Sequence, residues 1–153
     1  MISTEQIKEL RDRTGISIAQ CKKALEEAGG DLEKSLAALK AKGADIADKK
    51  SGREVKAGAI GVYVHATGTL GAIVELNCET DFVAKNVEFK TLADDLAMHI
   101  TACAPATTEE LLTQEYIKDS SQTIDALIKG LTQKFGERII ISRFSRFDTS
   151  DAH

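Results

Sequence analysis

GAIGVYVHATGTLGAIVELNC, residues 58–78, runs through ETDFVAKN, residues 79–86, into EFKTLADDLAMHI, residues 88–100. The period of the apolar residues changes along this stretch, and that change decides the fold. Ile60, Val62 and Val64 alternate with Gly61, Tyr63 and His65, the repeat of two that a half-buried strand requires. Ala66, Thr67, Gly68 and Thr69 read as a turn. In the second run Leu70, Ala72, Val74, Leu76 and Cys78 share one face, while Gly71, Ile73, Glu75 and Asn77 share the other. Two alternating runs joined by a short glycine-containing loop predict an antiparallel hairpin. After it Phe89, Leu92, Ala93, Leu96, Ala97 and Ile100 recur at helical spacing, so an amphipathic helix follows.

Toward the C-terminus, Pro105 marks the end of that helix or the loop beyond it. A short acidic helix is expected around Thr108–Leu112. Ile124, Leu127, Ile128, Leu131 and Phe135 repeat the helical spacing, with Gly136 as the closing residue. Ile139, Ile140, Ile141, Phe144 and Phe147 are β-branched or aromatic and predict a third strand. On a regular strand Ile140 and Phe144 point one way and Ile139, Ile141 and Phe147 the other, so both faces need cover. Asp148–His153 read as a polar tail. The expected core is α+β: a three-stranded antiparallel sheet packed with helices in the order ββααβ.

Toward the N-terminus the pattern is helical. Ser3 with Gln6 and Ser17 with Gln20 fit capping boxes, and Asp31 is a third N-cap. Ile7 with Leu10, Ile18 with Cys21 and Leu25, and Leu32 with Leu36 and Leu39 supply apolar stripes. Thr14-Gly15, Gly29-Gly30 and Gly43 read as the stops. The organisation expected is a three-helix docking domain over 1–42 and a linker over 43–57, small and charged and helical near Ile46. An α+β core over 58–147 and a tail over 148–153 complete it.

At 153 residues the chain allows one ordinary domain or two small ones. Its net charge of −4 argues against nucleic acid as a direct partner, since phosphate binding is dominated by Lys and Arg. Lys49, Lys50, Arg53 and Lys56 cluster in the linker, and Arg138, Arg143 and Arg146 near the last strand; both sets read as solvated or strand-edge charge. Cys21, Cys78 and Cys103 are odd in number and widely spaced, which favours free thiols and a cytoplasmic location. No apolar run reaches membrane-spanning length, and the start reads as neither a signal nor a transit peptide.

The chemistry of an enzyme is missing from the pattern. No glycine cluster has phosphate-loop spacing, and His65, His99 and His153 lack metal-ligand spacing. No nucleophile motif is present, and no cofactor is implied. One segment stands out: Thr80, Asp81, Phe82 and Val83 at the strand-to-helix turn. Thr80 serves as an N-cap and Asp81 suits the positive end of the helix dipole. Phe82 either staples the turn to the core or is an aromatic knob offered to a partner, where such side chains often dominate binding.

The sequences Leu10-Arg11-Asp12-Arg13-Thr14-Gly15 with Cys21-Lys22-Lys23-Ala24-Leu25, and Asn77 through Asn86, resemble the two characteristic motifs of the bacterial translation elongation factor Ts family. Gly136-Glu137-Arg138-Ile139 through Arg143 resembles the close of that family's core. The resemblance implies a ubiquitin-associated-like fold for the N-terminal helices. It also implies a guanine-nucleotide exchange factor that binds elongation factor Tu with GDP and disturbs the magnesium and phosphate site. By it, Phe82 is a wedge, with Thr80, Asp81 and Val83 around it. Arg11, Ile18, Ala19 and Lys22 occupy the docking positions, with Ile18 and Ala19 where methionine is common. The chain is expected to match the short members, with one core half and a homodimer formed through Ile139, Ile141, Phe144 and Phe147. Ser145 stands where some short relatives have cysteine, so the dimer is expected to be non-covalent. The competing expectation is a small adaptor whose helices bind a helical or ubiquitin-like partner without exchange activity. In that case Asp81 and Phe82 only pack the core.

Overall fold

The computed structural model describes residues 1–151; His153 and part of the expected tail lie outside the described residues. The elements run α1 (Thr4–Thr14), α2 (Ile18–Glu27), α3 (Leu32–Lys50), β1 (Ala57–Val64), β2 (Leu70–Cys78) and α4 (Asp81–Ala84). They continue with α5 (Val87–Cys103), α6 (Thr108–Thr113), β3 (Glu115–Tyr116), β4 (Asp119–Thr123), α7 (Ile124–Phe135) and β5 (Ile140–Asp148). Two units are distinguished, one made of residues 1–52 with 129–136, the other of residues 53–128 with 137 onward.

In the first unit the three helices start where their caps predict. Ser3 and Gln6 form the reciprocal capping box, Ser17 accepts from the Gln20 amide, and Asp31 accepts from the Lys34 amide. Leu10, Ile16, Cys21, Ala24, Leu25 and Leu39 make the buried cluster, with Ile2, Ile7, Leu32 and Leu36 around it. Two expectations need correction. Ile18 is 55% exposed, so the inward stripe of α2 is Cys21, Ala24 and Leu25. Gly43 does not stop α3, which continues to Lys50, so residues 43–50 are helix and not open linker. A helix-interior glycine costs about 1 kcal/mol against alanine. Here it is buried, and an added Cβ would lie 2.7 Å from Gln133 Oε1, so its missing side chain permits a close approach.

In the second unit β1, β2 and β5 form an antiparallel sheet with β2 central. Its covered face carries Ala72, Val74, Leu76 and Cys78, against Phe89, Leu92, Ala93, Leu96, Ala97 and Ile100 of α5. Helix α5 lies so close to β1 that a Cβ on Gly61 would fall 2.0 Å from the Ala93 carbonyl oxygen. Asp94 of α5 accepts the outward Val62 amide at 3.0 Å and pairs with Lys90. One outward amide of the free edge of β1 is thereby taken, which makes that edge a poorer template for another strand.

The third strand departs from simple alternation. The register shifts between Glu75 and Leu76, so that Glu75 faces Arg143 but Leu76 faces Ile141. Ser142 is the extra residue of a bulge, which reverses the faces of the residues beyond it. Phe144, opposite Val74, therefore falls on the covered face with Ile141, while Phe147, opposite Gly71, falls on the outer one. The two-stranded pair β3–β4 was not expected; its residues 115–123 are too short and polar to show a period.

Candidate partner-binding site

Strand β2 ends at Cys78, and two residues later the chain enters α4, a helix of four residues. Thr80 caps it, its hydroxyl oxygen accepting the Val83 amide at 3.4 Å. Within this turn the side chains divide sharply. Val83 is 5% exposed and sits in the core, whereas Phe82 is 87% exposed, and Asp81 beside it is exposed too. The staple that holds the turn is thus Val83, and the aromatic ring is left in solvent.

The turn is fastened from a distant part of the chain. One carboxylate oxygen of Glu137 accepts the Glu79 and Thr80 amides at 3.1 and 3.0 Å. Its other oxygen accepts the Thr80 hydroxyl at 2.6 Å. In return Glu79 accepts the Arg138 amide and pairs with Arg53 at 3.4 Å, and Arg138 donates to the Arg53 carbonyl at 2.7 Å. Cys78 lies beneath, donating to the Thr80 carbonyl at 3.2 Å. Burial, aided by the negative charges of Glu137 and Asp81, pushes its thiol up to about 11. At neutral pH it is a protonated, packed group and not a nucleophile.

Arg11, Ile18, Ala19 and Lys22 are all exposed on α1 and α2, and Lys22 pairs loosely with Glu26 at 3.9 Å. The four residues expected at a dimer surface are split. Ile139 and Ile141 are 3% and 7% exposed and belong to the protomer's own core, which corrects their placing. Phe144 is half-buried on the covered face, again because of the bulge, and Phe147 is 71% exposed. The residues missed by sequence reasoning are Glu79 and Glu137, with Arg53 and Arg138. Carboxylates that grip backbone amides 57–59 positions away leave no periodic trace. Among the described residues no group of three His, Cys, Asp or Glu side chains could hold a metal ion. No helix among them is long and apolar enough to cross a membrane.

The profile of the family described as Elongation factor TS matches residues 79–153. Over 150 residues the chain is 45% identical to elongation factor Ts of Clostridium kluyveri, covering 98% of this chain and 49% of the relative. It is 46% identical over 155 residues to elongation factor Ts of Aquifex aeolicus, covering 98% and 53%. Elongation factor Ts of Leptospira biflexa is 39% identical over 191 residues, covering 95% of this chain and 96% of the relative. The chain belongs to the elongation factor Ts family.

It spans about half the length of the Clostridium and Aquifex members and nearly all of the Leptospira one. The elongation factor Ts profile begins at Glu79. It therefore takes in the Thr80–Val83 turn and also Glu137 and Arg138, the loop that fastens it. The α1–α3 segment falls outside the profile but inside the whole-chain alignments with elongation factor Ts proteins.

Proposed function

We propose that this chain is a guanine-nucleotide exchange factor that binds elongation factor Tu in its GDP form and speeds GDP release. The observation that carries the reading is the exposure of Phe82, 87%, on a turn whose other apolar residue is buried. A large aromatic held in water next to a carboxylate is stabilised only when something covers it. Burying the ring against a partner is worth roughly 2–3 kcal/mol.

The proposed mechanism needs no bond-breaking group. Magnesium holds nucleotide phosphates with near-ideal octahedral geometry, so a small displacement of its surroundings weakens the nucleotide. Phe82, inserted beside that site with Asp81 as its polar neighbour, supplies the displacement. The coupling is reciprocal: a factor that weakens GDP binding is itself bound less tightly when GDP is present. Arg11, Ile18, Ala19 and Lys22, all exposed, form a second contact in which Ile18 is the large apolar member. The working state is a non-covalent homodimer in the cytoplasm. Its contact is the outer sheet face bearing Phe147, with Ile60, Val62, Val64 and Ile73.

The test is the release rate of a fluorescent GDP analogue from elongation factor Tu, with this protein and with Phe82→Ala. The ring is solvent-exposed, so the variant is expected to fold normally and to lose most of the acceleration. Acceleration unchanged by Phe82→Ala would move the mechanism to the α1–α2 patch. No acceleration by the folded wild-type protein would leave a helical adaptor.

A further inference from the structure

We propose that Glu137 is a positioning residue, holding the Asp81–Phe82 turn in its presented shape before any partner arrives. This rests on the reading of Phe82 as the inserted side chain. A helix of four residues has no stability of its own, because nucleating a turn costs more than so few hydrogen bonds return. Helix α4 buries a single side chain, Val83. The rest of its order must come from outside it.

The source is one carboxylate. Glu137 accepts two amides on one oxygen and the Thr80 hydroxyl on the other. That hydroxyl oxygen in turn accepts the Val83 amide. The hydrogen-bond chain thus runs from Glu137 through Thr80 into the first turn of α4, on either side of Phe82. Only a carboxylate satisfies all three donors, since it is acceptor-only with about four lone-pair sites. Glutamine keeps one acceptor oxygen and sets an NH2 group against the hydroxyl. Alanine keeps nothing. The second link, from Glu79 to the Arg138 amide, does not depend on the Glu137 side chain. It keeps the end of β2 in place when Glu137 is changed, so the change loosens the turn without unfolding the sheet. A turn already ordered loses less conformational freedom on binding, which is how preorganisation raises affinity.

Two measurements on the full chain test this. In the free protein, amide hydrogen exchange at Thr80 and Val83 is expected to quicken in Glu137→Ala and less in Glu137→Gln. Amides of Val74 and Leu76 in the sheet should stay as they were. In GDP release from elongation factor Tu, Glu137→Ala is expected to lose about tenfold of the acceleration, the scale of a charge-assisted hydrogen bond. Glu137→Gln should recover part of it. In a Phe82→Ala background Glu137→Ala should cost nothing more, because the ring it positions is gone. Unchanged protection of Thr80 and Val83 overturns the proposal. So does an equal further loss in the Phe82→Ala background, which would mark a general structural role. If the wild-type protein fails to accelerate release, the exchange reading falls, and the protection data alone decide whether Glu137 holds the turn.

Discussion

Phe82 and Val83 are neighbours in sequence with opposite fates, one in solvent and one in the core. Apolar character alone does not say which, and the assignment needs the geometry of the turn. His99 is the reverse case: a titratable side chain on α5 that is fully buried. Its Nδ1 accepts the Ile117 amide at 3.1 Å, so Nε2 carries the proton and bonds Gln114 Oε1 at 2.9 Å. The ring is therefore neutral and ties α5 to the β3–β4 pair. The Cys103 thiol lies 3.9 Å from Nδ1, the Tyr116 ring stands 6.0 Å away, and the nearby Asp95 is paired with Lys118. Burial pushes His99 below its ordinary 6.5, against a smaller upward pull from Gln114. The sign follows: on acidification the unfolded chain takes up a proton that the folded one refuses. Stability is expected to fall as pH drops through about 6.5 and to level off below the lowered folded value. Urea unfolding from about pH 8 to about pH 5 measures it, compared with His99→Gln. The variant should be less stable at the alkaline end and show a shallower acid limb. Parallel limbs would remove His99 as the cause.

At the scale of elements, the hairpin and α5 are legible because their periods of two and 3.6 are long and unbroken. What alternation does not carry is where it is interrupted. The bulge at Ser142 sends Ile141 and Phe144 to one face, although they stand three apart. That alone moves Phe144 from an expected dimer surface to the covered side. The extension of α3 through Gly43 was illegible for a related reason. The feature that accommodates a glycine there is a side chain some ninety positions away, Gln133. Gly61 shows the same principle in its strongest form. Its hydrogen faces the α5 backbone, with the Ala93 carbonyl oxygen 2.0 Å and the Asp94 nitrogen 2.8 Å from where a Cβ would sit. Both are main-chain atoms of a packed helix and cannot rotate away. Gly61→Ala is expected to push α5 off β1, lengthening the Asp94 bond to the Val62 amide. A cost of about 1–3 kcal/mol, toward the upper end, is expected for such overpacking. It would appear as a lower urea midpoint. A midpoint within error of wild type would mean the helix shifts freely, contrary to the close packing described.

For the whole molecule, the unanswered part of the fold is the outer face of the sheet. Val62 lies across from Ile73 and Ser145, Val64 from Gly71 and Phe147, and Ile60 from Glu75 and Arg143. Ile60, Val62, Val64, Ile73 and Phe147 are 43–71% exposed, a contiguous apolar surface of the kind monomers rarely leave bare. An ion pair on it, Arg143 with Glu75 at 2.7 Å, holds the Glu75 carboxyl below its ordinary range. The pair is therefore already matched within the protomer and places no unpaired charge against an incoming apolar surface. A two-fold contact suits such a face, because the same rows then meet in reverse order. The free protein is accordingly expected to sediment at micromolar concentration as a species of twice 16.5 kDa. Ser145 on this face gives no thiol to cross-link, so reducing agent should change nothing. Phe147→Asp sets a charge at the end of the contact, and Val62→Asp sets one in its centre row. Neither side chain supports the protomer's core, so both variants should keep the wild-type circular dichroism and sediment at 16.5 kDa. A wild-type protein that is monomeric under these conditions would sink the dimer. Variants that remain dimeric would instead move the contact off the sheet.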